Sequence, residues 1–356
     1  MPLDKRHFLK IALLASILVF SLGFSLSSLA SITTSSPIAV DFFFHLDVAR
    51  VWSVGQNGMF CDFVMNINHF PYPPVFHWLL VPSVWLNIEY LFGRVLQVIL
   101  FSGTLAATMI LVYKQDGVSG SLFTGMLLLS NIAFIDSNIQ ARPQSLSMLL
   151  LPMMIQLYLS KNRLGFIISS VVMVYTHSIA SLSLIYGLAL HKLKEKKWLK
   201  SIFLLGLLVS PILITSVIYG SGALTRWGEH SDSDQEELIW TSPFTFVPLY
   251  MGSLLLGFPC FFMALIKWKD QTEYVKTLCL ILAGSVIMIP IWADRWLQYI
   301  SVPLACLAAN WLTKRKRSEI LFILPFMVSV FAMYQLNYWW ITATGNWFTP
   351  HESTWR

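Results

Sequence analysis

Residues 8–30 read FLKIALLASILVFSLGFSLSSLA, and a short way on residues 41–50 read DFFFHLDVAR. The first stretch suits a helix crossing a bilayer, which takes about 20 apolar residues. Lys5, Arg6 and His7 precede it, so its start is expected on the cytoplasmic side, where basic residues are retained. SLSSLAS at 25–31 resembles a leader cleavage site, but the apolar run is long for a leader, and the helix is read as retained. The second stretch then places two aspartates, a histidine and an arginine just beyond the outer end of that helix.

The rest of the chain repeats the apolar theme. Of its 356 residues 56% are hydrophobic and 12% charged, where soluble domains carry about 25% charge. With a mean hydropathy of +0.65, this is the composition of an all-α polytopic membrane protein. A single membrane domain is expected over 1–336, with an aromatic outer tail over 337–356. The net charge of +6 reads as membrane orientation rather than nucleic-acid binding. Cys61, Cys260, Cys279 and Cys306 show no metal or disulfide spacing, and three of them lie in apolar runs as packing residues.

About eleven spans follow from the apolar runs: 8–30, 93–113, 119–135, 145–160, 164–176, 178–191, 198–219, 244–266, 277–292, 296–312 and 318–336. Residues 75–91 are apolar too, but Pro82 interrupts them and Asn87-Ile88-Glu89 follows. They are read as helix on the membrane surface, with Trp78, Trp85 and Tyr90 at the interface, inside a long first outer loop over 31–92. The charges fit this threading. All 14 lysines fall in the inner segments, whereas the outer side holds 6 arginines and 12 of the 18 carboxylates. Arginine binds phosphate through a planar two-pronged fork, so this outer surface suits a phosphate-bearing amphiphile.

Several outer groups are candidates for chemistry. On a helix Asp41 and His45 share one face, while Asp47 and Arg50 share another, either as site residues or as a local ion pair. Asp41 follows Pro37 and suits a helix cap as well as a general base. FPYPPVFH at 70–77 is a rigid turn at headgroup level, carrying Tyr72 and His77. IDSNIQARPQSL at 135–146 brings Asp136 and Arg142, the latter before a proline that opens a helix and so at an anion-favouring terminus. His177 lies in THS at 176–178, and Asp294 and Arg295 lie in ADRW at 293–296. Ionisable groups at membrane depth are functional candidates by default. The acidic stretch EHSDSDQEEL at 229–238 reads as a solvated loop or a lid. There is no P-loop, GxSxG, HExxH or dinucleotide fingerprint.

These motifs together resemble the type C glycosyltransferases, which include protein O-mannosyltransferases, aminoarabinose transferases and the catalytic subunit of oligosaccharyltransferase. Asp41-Phe-Phe-Phe-His45-Leu-Asp47-Val-Ala49 resembles a D-x-x-x-H-x-x-x-A motif of prokaryotic members, and Tyr72-Pro73-Pro74-Val-Phe-His77 a later YPP motif. ARPQSL, THS and ADRWLQYISVPLA resemble the family's arginine turn, histidine turn and late DR helix start. The first loop departs from the family in lacking a strict Asp-x-Asp, and the second acidic motif is absent unless Asp136 serves.

The resemblance implies a helical fold with a cavity on the outer side. It also implies sugar transfer from a polyprenyl-phosphate-linked donor to a protein, lipid or glycan acceptor. Asp41 would be the general base or the carboxylate that orients the acceptor, with His45 and Asp47 shaping the acceptor side. Arg142, with His177 and Arg295, would hold the donor phosphate. Tyr72, His77 and Asp136 would serve the acceptor side or the structure. No cofactor is required by this reading, although a divalent cation, Mg or Mn, is admitted between Asp41 and Asp47. The implied place is the plasma membrane, with the site extracytoplasmic. The alternatives are a transporter or flippase of a lipid-linked sugar, which would favour repeated halves and broken midplane helices, and a glycan polymerase or ligase.

Overall fold

The computed structural model describes residues 5–33, 40–54, 74–177, 185–219, 244, 251–289 and 293–314. Among these the regular structure is helical, with no strand. The helices are α1 (Lys5–Thr33), α2 (Val40–Ser53), α3 (Val75–Trp85), α4 (Glu89–Leu129), α5 (Ile132–Ile139) and α6 (Pro143–Leu159). They continue as α7 (Arg163–Val174), α8 (Gly187–Lys194), α9 (Trp198–Tyr219), α10 (Gly257–Ile266), α11 (Glu273–Ser285) and α12 (Ala293–Thr313).

The longest helix is not straight. At Gly117 the backbone leaves the helical region, with φ 72° and ψ −165°, a conformation that essentially only glycine adopts. The two arms then lie against each other. A Cβ on Gly120 would touch Val112, and one on Gly125 would meet Met109 Sδ at 3.0 Å. The rings of Phe101 and Phe134 are 5.8 Å apart further along. Each pair is nearly equidistant in sequence from Gly117, so the element is an antiparallel hairpin. It accounts for the two separate segments expected over 93–113 and 119–135. α1 lies along this hairpin, with Gly23 against Leu105 and Leu129 and Val19 against Gly125.

The remaining helices thread back and forth in the same way. Leu149 of α6 meets Gly103. Tyr175, at the end of α7, donates its hydroxyl to Ser210 of α9 at 3.1 Å. Gly187 of α8 lies against the Leu280 carbonyl of α11, and Gly257 of α10 against Leu304 of α12. A continuous apolar core joins them, centred on α4, α6, α11 and α12. A smaller cluster holds α2 and α3 to the first arm of α4, through Phe42, Leu46, Phe76, Leu80, Leu96 and Leu100.

This threading separates two ends. At one, the Asn310 side-chain amide of α12 donates to the Asp116 carboxylate beside the Gly117 turn. Lys114, Lys314 and the turns at 160–163, 195–197 and 267–272 lie at that end. At the other end lie α2, α3, the α5–α6 turn, the end of α7 and the start of α12.

Among the described residues two stretches are long and apolar enough to cross a membrane, Arg6–Ser28 and the hairpin Glu89–Leu129. The helices at 198–219 and 293–313 fall where spans are expected, and α7 occupies most of 164–176. Two boundaries differ from expectation. The segment 119–135 breaks at Ser130-Asn131, because the Asn131 side chain accepts the Phe134 amide and caps a new helix. The surface segment 75–91 ends at Trp85. Asn87 there turns the chain at φ 53°, and 89–91 already belong to α4. The expected span 318–336, the tail 337–356 and the acidic stretch 229–238 lie outside the described residues, as does part of 178–191.

Candidate active site

α2 buries Phe42, His45, Leu46 and Ala49, spaced as one helical stripe, and turns Asp47 and Arg50 outward. α3 buries Phe76, His77, Leu80 and Val81 and exposes Trp78, Leu79 and Trp85. Where the two buried stripes meet, His45 Nδ1 and His77 Nε2 lie 2.9 Å apart and share a hydrogen bond. Aromatic rings enclose the pair. Phe76 stands edge-on to His45 and Trp52 edge-on to His77, both at 5.3 Å between centroids.

Arg142 is the link to the transmembrane body. The following Pro143 disfavours helical backbone at the residue before it, and Arg142 is accordingly extended, with φ −143° and ψ 164°. Pro143 is the first residue of α6, so the arginine stands at a helix N-terminus, where an anion is electrostatically welcome. Its side chain is only 6% exposed. The Ser145 hydroxyl donates to the Ser137 carbonyl at 2.8 Å and holds this turn against α5. One residue earlier, the Gln144 side-chain amide donates to that of Gln298 on α12.

His177 follows the end of α7, and its Nδ1 is 3.1 Å from the buried Tyr299 hydroxyl of α12. The Val75 amide donates to the Tyr175 carbonyl at 3.0 Å, which ties the start of α3 to the same turn. Charge connects these residues as well. Burial first, then the fields of His177 and Arg142, push the His45 pKa down to about 3. His45 is therefore neutral, and it lies within electrostatic reach of both groups.

The structure thus gathers four of the expected site residues, His45, His77, Arg142 and His177, around one end of the bundle. Asp47 faces away. It is half exposed and bonds Arg50 at 3.1 Å, and Arg50 in turn reaches Glu89 at 3.5 Å. This is the local ion pair, and it fastens α2 to the start of α4. Asp41 lies in the first turn of α2, Asp136 in α5 and Arg295 in the first turn of α12, each on an element at this end, though their side chains are outside the described set. Tyr72 also lies outside the described residues. Among the described residues no three His, Cys, Asp or Glu side chains gather as a metal-ligand set, and Asp47 is committed to Arg50.

Sequence reasoning passed over Tyr299, Gln298 and Gln144. The signal was present in ADRWLQY, where Asp294 and Gln298, and Arg295 and Tyr299, fall four apart on a helix. It was absorbed into an otherwise apolar span.

No protein-family model matches the chain, and no curated protein does. Among solved structures, the chain is similar to ArnT from Cupriavidus metallidurans, whose crystal structure is of the apo state, with a TM-score of 0.57 and 14% sequence identity. The likeness covers 84% of this chain and 60% of that one, so this chain spans about three fifths of that protein's length. At that identity the likeness is one of fold: the chain shares the all-helical architecture of ArnT.

Proposed function

We propose that the protein is a membrane glycosyltransferase that moves a sugar from a polyprenyl-phosphate-linked donor to an acceptor on the extracytoplasmic side. The observation that carries this reading is the convergence of Arg142, His177 and the His45–His77 pair at the end of the bundle away from the lysines, within a fold like that of ArnT. The reading takes the chain as a plasma-membrane protein of about eleven spans with its N-terminus in the cytoplasm.

In the proposed reaction an acceptor hydroxyl attacks the anomeric carbon. The bond from that carbon to the phosphate oxygen breaks, and polyprenyl phosphate departs with the bonding electrons. Negative charge grows on the phosphate as the bond breaks, and a preorganised cation there lowers the barrier. Arg142 takes this role, standing buried at a helix N-terminus, and the reading assigns His177 and Arg295 to the same phosphate. Asp41 takes the acceptor proton. It lies one helical turn before His45, on the same side of α2. The neutral His45, buried and hydrogen-bonded to His77, holds α2 against α3 behind the acceptor side without adding charge. Asp47 acts through Arg50 to hold α2 in register, and the reading keeps Tyr72 and Asp136 for the acceptor side or the structure.

The test is a transfer assay. Purified protein is given a panel of radiolabelled polyprenyl-phosphate sugars, and release of sugar from lipid is followed beside Asp41→Asn. Release by the wild type and none by the variant is expected. Equal turnover by the variant would remove Asp41 as base. Absence of release from every donor, with lipid binding retained, would favour a transporter of the same lipid.

A further inference from the structure

The end of the bundle opposite the candidate site carries a feature that sugar transfer does not use. Three turns there are bridged by aromatic contacts. Lys192 lies over the Tyr158 ring, 6.0 Å from its centroid, which brings the end of α8 to the α6–α7 turn. The neighbouring His191 ring meets Trp268 at 6.4 Å, which brings the same element to the turn after α10.

The bridges assemble a surface of cations. Lys161, Arg163, Lys196, Lys200, Lys267 and Lys269 are all exposed and form no ion pair among the described residues. The local carboxylates are already engaged. Glu195 binds Lys192 and Lys197, each at 2.9 Å, and these hold its carboxyl down at about 2. Glu273 binds Lys276 at 3.2 Å. Of the carboxylates on these three turns, Asp270 has no such partner among the described residues, and the face is strongly positive.

What adjoins the cations decides their partner. Each turn passes straight into exposed apolar side chains: Leu164 after Arg163, Trp198 and Leu199 before Lys200, and Ile266 before Lys267. Leu199 and Ile266 are more than four-fifths exposed. Cations ranged along the rim of an apolar belt, with a tryptophan among them, match the phosphate layer of a bilayer above its hydrocarbon. A soluble anion or an acidic protein would need no such apolar rim.

We infer that the three bridged turns form a binding face for the headgroups of anionic phospholipids in the leaflet at the lysine-bearing end. The face goes beyond the transfer reaction and does not depend on it. Each basic residue near an anionic surface adds about fivefold to affinity. The face would therefore select anionic lipid over zwitterionic lipid and hold the bundle at a fixed depth.

The experiment is native mass spectrometry of the full chain in detergent, titrated separately with phosphatidylglycerol and with phosphatidylcholine. A preference of roughly tenfold or more for phosphatidylglycerol is expected. It should vanish in the combined variant Lys161→Gln, Lys196→Gln, Lys200→Gln and Lys267→Gln, with phosphatidylcholine binding unchanged. Equal retention of the two lipids by the wild type would overturn the inference. So would an undiminished preference in the variant, or a preference abolished by inorganic phosphate at constant ionic strength, which would mean a simple anion site. If the variant does not fold, wild-type salt dependence decides. Loss of preference in high salt supports the face, and indifference to salt rejects it. A chain inactive in every transfer assay would still show the lipid preference, so the two proposals fail separately.

Discussion

His45 combines two demands that rarely meet in one side chain. It is buried in an aromatic nest and hydrogen-bonded to a second histidine, and it lies in the field of His177 and Arg142. Burial first, then the fields of His177 and Arg142, disfavour its charged form. In the unfolded chain it titrates near 6.5, while in the fold it resists protonation down to about 3. Its contribution to stability is therefore complete above 6.5 and is lost progressively as pH falls from 6.5 towards 3. We expect the melting temperature in detergent to drop over that interval, and to drop less steeply in His45→Gln; identical slopes would refute the assignment. Arg142→Ala should weaken donor binding roughly tenfold or more, since a charged hydrogen bond to phosphate contributes about 1.5–3 kcal/mol. Arg142→Lys should recover only part of it, because an ammonium cannot make the two-pronged contact. Equilibrium binding of the radiolabelled donor measures both. Arg142 and His177 stand out in the sequence because polar residues are scarce in apolar runs. The pairing of His45 with His77 does not, because it joins residues of two different helices.

Gly117 and Gly206 offer a clean contrast among the helices. Neither would place an added Cβ within 4 Å of a neighbour, but only Gly117 has positive φ. Gly117→Ala should cost about 1–3 kcal/mol through backbone strain alone. Gly206→Ala, within α9, should stabilise by up to about 1 kcal/mol through helix propensity. Thermal unfolding in detergent should move in opposite directions, and a shared direction would mean that Gly117 is not the turn of the hairpin. Gly187 poses a different problem, since a Cβ there would lie 2.1 Å from the Leu280 carbonyl oxygen. That α4 folds back was legible in Lys114-Gln115-Asp116-Gly117, a polar interruption between apolar runs. The break at Asn131 was not, because the apolar run continues past it and a single cap hydrogen bond decides the matter.

The whole molecule is polarised, with lysines at one end and the histidine–arginine cluster at the other. The proposed orientation makes a prediction that needs no substrate. In a Cys61→Ser background, where Cys260, Cys279 and Cys306 are buried, Val54→Cys should react in intact cells with a membrane-impermeant thiol reagent. Lys196→Cys should react only after the cells are opened. The reverse pattern would invert the topology and move the candidate site to the cytoplasm. The helical class, the positions of most of the helices and the side on which the lysines gather follow from the sequence alone. Each depends on hydrophobic run length or on a count of charges, and both are local quantities. The tertiary structure alone decided that His45 meets His77, that Tyr299 reaches His177, that Asp47 turns away to Arg50, and that three basic turns share one face. These depend on which helices touch and in what register, and that is set by the packing of side chains far apart in the chain.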